Sequence, residues 1–247
     1  MKIVLSRKGF DTTAGGVPSP IRGGVPLSLP IPARDRSVTC YADLGLGETV
    51  ETLTRGKLGR DALCHDDPMF ADGQCWFGQS GAAQGHLRKH GVGVGDHFVF
   101  FGLFADRETG ERHHRIFAQM QVARCGSPEV LRDDPEFPAP PRPHPHMIGE
   151  WSANNTIWHG PAICARSAHP DLRLTVAGGP LNLWSVPDWL RGRGLSYHER
   201  PERWLRGNRL DSARRGQEFV CDAGRARRPR EWLARVIELL AIEATPG

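Results

Sequence analysis

Residues 97–122 constrain the fold more than any other stretch. His97-Phe98-Val99-Phe100-Phe101-Gly102-Leu103-Phe104 is apolar at nearly every position, as a strand buried on both faces would be. Asp106-Arg107-Glu108-Thr109-Gly110-Glu111 supplies a polar hairpin tip, and the segment from His114 to Val122 returns. Along that return Phe117, Met120 and Val122 keep the alternation apart from one slip, which marks a β-bulge. The preceding Gly91-Val92-Gly93-Val94-Gly95-Asp96 has the wrong spacing for a dinucleotide fingerprint and opens a strand instead of a helix. The expected class is therefore α+β, with a mixed or largely antiparallel sheet and peripheral helices.

Turn, buried strand, hairpin and returning strand also resemble the start of a small PUA-like β-barrel, so such an element is expected. Ile3-Val4-Leu5 reads as a buried first strand, and the segment from Pro26 to Pro32 as an edge strand, because its prolines cannot donate to a ladder. Helices are expected from Glu48 to Leu58 and from Ser80 to His90, the second ended by Gly91. A turn or two follows Ser127 as cap with Pro128 behind it. Further strands fall at 154–159, 172–176 and 217–222. Ser185 and Pro187 read as a helix start, and the last helix spans 229–242 with Trp232, Val236, Leu239 and Leu240 on one face. A single domain is expected over 1–247. The proline-dense segment 135–146 is either an internal boundary or an ordered arm across the surface.

The six cysteines are scattered with no Cys-x-x-Cys pair, which argues against a structural zinc site and against a disulfide framework. No apolar run approaches a membrane span, and the expected location is cytoplasmic. The net charge of +4 is too small to imply nucleic-acid binding by itself. Arginine greatly outnumbers lysine, which fits either phosphate contact or a GC-rich genome.

Candidate chemistry begins in the loop after the first strand, Ser6 to Pro20. Arg7 and Lys8 can hold an anion, glycines 9, 15 and 16 can offer backbone N–H groups, and Ser19 adds a hydroxyl to substrate binding. Asp11 can act as a base, or it can pair with Arg7 and simply pin the loop. His144 and His146 share one side of a proline-stiffened path, as substrate-facing or loop-bonding groups. Their spacing matches no zinc signature, and a metal would need Cys64, His65 or Asp67 from afar, so metal and cofactor stay unassigned. Asn154 and Asn155 can read a base edge or form a turn. Tyr197 and His198 form a further substrate-binding group with Glu218, which is an acid or base or merely faces solvent. His113 and His114 are expected to be solvated. The Arg191–Arg215 stretch suits either a nucleic-acid strand or a self-paired helical surface. Asp11, His146 and Glu218 are thus the catalytic candidates.

The opening Ser6-Arg7-Lys8-Gly9-Phe10-Asp11, Gly15 to Ile21 and Ser28 to Pro32 resemble the start of the nucleotide modification associated domain 3 family. Gln84-Gly85-His86-Leu87, His144-Pro145-His146, Asn154-Asn155-Thr156, Leu195-Ser196-Tyr197-His198 and Gly216 to Val220 continue the resemblance. It implies a bacterial or phage context, a nucleotide or nucleic acid as partner, and an enzyme of nucleotide or nucleobase modification. The alternatives are a non-catalytic reader of modified DNA or RNA, or an accessory subunit of a modification or defence system. It implies no role for individual residues.

Overall fold

The computed structural model describes residues 1–244. Its centre is the hairpin expected from the sequence, His97–Asp106 against Arg112–Gln121. The register slips by one residue there: Phe100 faces Ala118 while Phe101 faces Ile116. Phe117 is the additional residue, and the bulge turns Phe117 and Ala118 to the same side.

Lys2–Arg7 lies parallel to the His97 strand and antiparallel to Glu218–Asp222. On the other side the sheet continues through Thr156–Cys164, Gln74–Gln79 and Met69–Ala71. The result is a curled, mixed half-barrel with helices outside it, which is the expected α+β class. Alternation along the strands sorts two cores. Val4, Phe77, Phe98, Phe100, Met120 and Trp158 pack on one face. Ile3, Leu5, Val99, Phe101 and Phe219 pack on the other, against the terminal helix Arg227–Ala241 through Leu233, Val236, Leu239 and Leu240.

The curl brings its two margins together. Gln79, near one edge, donates to the carboxylate of Glu218 on the other edge at 2.9 Å, and the Lys8 ammonium meets the same oxygen at 2.9 Å. A mouth therefore opens where the chain leaves Arg7, Gln79 and Gln217. A small two-stranded ribbon, Ile31–Pro32 with Cys64–His65, lies along one side of it.

Several local expectations are revised. The 26–32 segment is two pieces, Val25–Pro26 and Ile31–Pro32, because its prolines interrupt the ladder. The first helix is shorter than expected, Gly47–Thr54, and ends at a left-handed Arg55. Residues 172–176 hold only isolated bridges after a 3-10 turn. Leu183–Ser185 is a strand, and the helix begins later, at Asp188 behind Pro187. The arginine-rich stretch is a short helix followed by a hairpin, so no continuous helical surface exists there. The proline-dense arm lies against the sheet: the Trp76 indole donates to Pro138 O at 2.8 Å, and Arg142 pairs with Asp66 at 2.8 Å. All six cysteines are free, and three of them, Cys64, Cys75 and Cys221, are buried. Among the described residues no helix is long and apolar enough to cross a membrane.

Candidate functional site

A cavity of about 720 Å³ occupies the mouth of the half-barrel. Arg7, Lys8, Gly9 and Asp11 line one wall, Gln79, Ser80 and Gln217 the floor, and Arg34 and Arg36 the exposed rim. His65, Asp67, His146 and Trp151 form the remaining wall. The opening loop and the His-Pro-His segment, far apart in sequence, thus share one cavity.

The His65–Asp67–His146 wall is built in layers. Asp67 Oδ1 accepts the Gly78 N–H at 2.8 Å and faces His144 Nε2 at 3.3 Å. His144 is fully buried, and its Nδ1 accepts the His146 N–H at 3.2 Å, which places its proton on Nε2, between Trp76 O and Asp67 Oδ1, each 3.3 Å away. Asn155 holds His146 twice: its amide N–H donates to His146 O at 2.8 Å, and its oxygen accepts Nδ1–H at 2.7 Å. That fixes the tautomer, leaving His146 Nε2 without a proton, 3.9 Å from Asp67 Oδ2. His65 Nε2 stands 3.6 Å from the same oxygen. The Trp151 indole stacks on the His146 ring at 3.9 Å and carries Arg36 at 4.6 Å from its ring centre.

Electrostatics follow from this packing. Burial alone would raise the Asp67 carboxyl, but the close imidazoles of His144, His65 and His146 outweigh it and hold Asp67 well below the usual carboxylate range. Burial pushes His146 down to about 4, against the pull of Asp67. His146 is therefore neutral at neutral pH. Two imidazole nitrogens and one carboxylate oxygen, all within 4.8 Å of one another, make up a donor set able to hold a metal ion.

The nucleotide modification associated domain 3 family matches residues 2–222, nearly the whole chain. The chain belongs to this family. No curated protein and no solved structure matches it. Family membership associates the chain with nucleotide modification.

Within this family member the sequence-predicted residues divide into two groups. Arg7, Lys8, Asp11 and His146 line the cavity. Arg7 spends its guanidinium on Ala213 O and Arg214 O, and Asp11 Oδ1 accepts from Thr13 and Ala14 as an Asx turn, so both also shape the loop. The second group acts through the protein itself. Ser19 Oγ accepts the Leu29 N–H at 3.1 Å in the interior. Asn154 clamps Gly81 through both its amide groups, and Asn155 and His144 position the His146–Asp67 pair. His198 is fully buried between Ser196 O and the Ala213 N–H, and Tyr197 stacks on His86 at 4.5 Å. Glu218 does not face solvent: it is 1% exposed and joins Lys8 and Gln79 beneath the floor. His113 is buried instead of solvated, and His114 Nδ1 lies between Leu181 O at 3.1 Å and the Trp184 indole N–H at 3.2 Å.

Trp151, Arg34 and Arg36 had no signal in the sequence. His65 and Asp67 were expected, with Cys64, only as residues that a metal at the His-Pro-His pair would have to recruit from afar; the structure brings the first two to His146. Gly78 was also missed, and it is decisive. A Cβ there would lie 2.2 Å from the His146 ring, so only glycine lets the ring sit over this strand. Gly78→Ala is expected to displace His146 and lower stability by about 1–3 kcal/mol. The Tm and the His146 ring signals in an NMR spectrum check this; an unshifted ring would contradict it.

Proposed function

We propose that the chain is an enzyme acting on a nucleotide or nucleobase held in this cavity, its phosphate toward Arg34 and Arg36 and its reacting atoms toward His65, Asp67 and His146. One observation carries the reading: a single cavity joins an exposed guanidinium rim to a buried imidazole–carboxylate wall. Its volume of about 720 Å³ suits a ligand of nucleotide size. Guanidinium forks match phosphate oxygens in geometry and charge. The opposite wall offers lone pairs on neutral imidazole and a low-pKa carboxylate, groups that can activate a water or a substrate hydroxyl. The deep Glu218–Lys8 pair supports the floor from below.

A non-catalytic reader has less support. Trp151 is the one Phe, Tyr or Trp side chain lining the cavity among the described residues, and His146 and Arg36 lie against its ring. A cage for a modified base needs free aromatic faces.

The test is mass spectrometry of nucleosides and nucleotides from cells with and without this chain, and with His146→Ala. A nucleoside species that appears or disappears with the natural chain and reverts with the variant is the expected result. Identical profiles in all three would remove the enzymatic reading. In a binding assay, Arg34→Ala with Arg36→Ala should weaken a nucleoside monophosphate roughly 10–100-fold, the loss of one or two charge-assisted bonds.

A further inference from the structure

We propose that His65, Asp67 and His146 bind one divalent first-row transition-metal ion, with its remaining coordination positions open to the cavity. The inference goes beyond the reading above and stands without it, because the ion is measured with no nucleotide present.

The cluster holds a mismatch. His146 Nε2 has no proton, since Asn155 holds the proton on Nδ1. Yet Nε2 stands 3.9 Å from a carboxylate oxygen, with no proton to place between them. His65 Nε2 approaches the same oxygen at 3.6 Å. These separations exceed a hydrogen bond, and a shared proton would draw such atoms to about 2.7–3.0 Å. What makes three converging donors favourable is a cation between them. Ligand bonds of about 2.0–2.2 Å hold neighbouring donor atoms roughly 3–3.5 Å apart, so donors that already lie within 4.8 Å of one another need only side-chain adjustments to close the set.

The surroundings are those of a prepared site. Asp67 Oδ1 is already taken by Gly78 and His144, which leaves Oδ2 for an ion. Asn155 orients one imidazole through its far nitrogen, and Trp151 fixes the ring plane. Such outer partners set ligand direction and basicity. Arg142 on Asp66 ties the segment carrying His65 and Asp67 to the arm that leads to His146.

The donor set indicates the class of ion. Two imidazoles and one carboxylate suit zinc, iron, cobalt or manganese, while calcium and magnesium prefer all-oxygen cages. Three protein ligands facing a cavity leave room for water or substrate, unlike a closed structural site. An ion here would lower the pKa of a bound water and polarise a substrate oxygen.

The experiment strips the full chain with a chelator, then titrates it with Co²⁺, read by visible absorption, and with Zn²⁺, read by competition with a chromophoric chelator. One ion per chain with Kd below about 10 μM is expected. His65→Ala and His146→Ala should each weaken binding at least 100-fold, and Asn155→Ala, a positioning change, about 10–100-fold. His65 is the primary variant, because it lies on the cavity wall and is not buried at the centre of the cluster as Asp67 is. Circular dichroism confirms that each variant is folded. A folded natural chain that takes up neither Co²⁺ nor Zn²⁺ at millimolar concentration overturns the proposal. A site of this kind that held iron or manganese would hold cobalt at least as well. Binding unchanged in both histidine variants overturns the assignment of ligands.

Discussion

Glu218→Ala is expected to lower the Tm by roughly 6–20 °C, the largest loss from any single change at the cavity floor. Glu218 is 1% exposed, and one of its oxygens receives both the Lys8 ammonium and the Gln79 amide at 2.9 Å. The Lys8 side chain is itself only 9% exposed, and its ammonium lies 4.2 Å from the centre of the Phe77 ring. Truncating the carboxylate leaves a desolvated cation with an aromatic face as its remaining support. Breaking a buried pair in this way costs about 3–5 kcal/mol. In a chain of this size each kcal/mol moves the Tm by about 2–4 °C.

The loss has a structural reach beyond the pair. Gln79 and Glu218 belong to strands near opposite margins of the sheet, and their bond helps close the curl that forms the cavity. Lys8→Met combined with Glu218→Leu should recover much of the stability, since a matched apolar pair carries no buried charge. Thermal melts of the two single variants and the double variant form the cycle. A Glu218→Ala loss below about 1 kcal/mol would show that water reaches the pair, as it does in exposed ion pairs.

How much of this was legible in the sequence depends on the range of the interaction that fixes each feature. The 97–122 hairpin, the bulge at Phe117, the Gly81–Lys89 helix and the Ser127 cap all rest on signals within a few residues. Where competing local signals met, tertiary contacts decided. Leu183-Trp184-Ser185 carries a plausible cap, but Leu183 and Ser185 pair with Asp211 and Arg209, and the helix starts later.

The site was legible only as separate pieces. His146 was visible as half of a His-Pro-His pair, and its partners His65 and Asp67 as a polar cluster. Their meeting depends on strand order and on the arm held by Trp76 and Arg142, which no spacing in the chain encodes. Asn154, Asn155 and His144 have the composition of substrate contacts and the geometry of supports. A short polar side chain satisfies a backbone group or a ligand equally well, so residue type alone does not separate the two.

Acid should unfold the protein through His113 and His114, the second large effect. Burial, then the charge of Arg115, pushes His113 down to about 4. Burial, then the charge of Arg7, does the same to His114, also to about 4. In the unfolded chain each ring titrates near about 6.5. Between those values the unfolded state binds protons that the folded state refuses, so stability is complete above about pH 6.5 and falls as pH drops toward 4. From pH 7 to 4.5 each ring costs roughly 2 kcal/mol. The groups facing them fit this sign. Arg115 lies 3.3 Å from His113 Nε2, Arg173 repels the same ring, and Glu111 and Asp106 only partly offset both. Protonating His114 at Nδ1 takes away the acceptor of the Trp184 N–H, and Leu181 O, 3.1 Å from the same nitrogen, and Asp11 only partly offset this. Urea midpoints measured from pH 7.5 to 4.5 should therefore fall steeply below pH 6.5, and His113→Gln with His114→Gln should flatten that fall. An equally steep fall in the double variant would place the acid sensitivity elsewhere: in His146, which burial likewise pushes down to about 4, or in the carboxylates held low in the folded state.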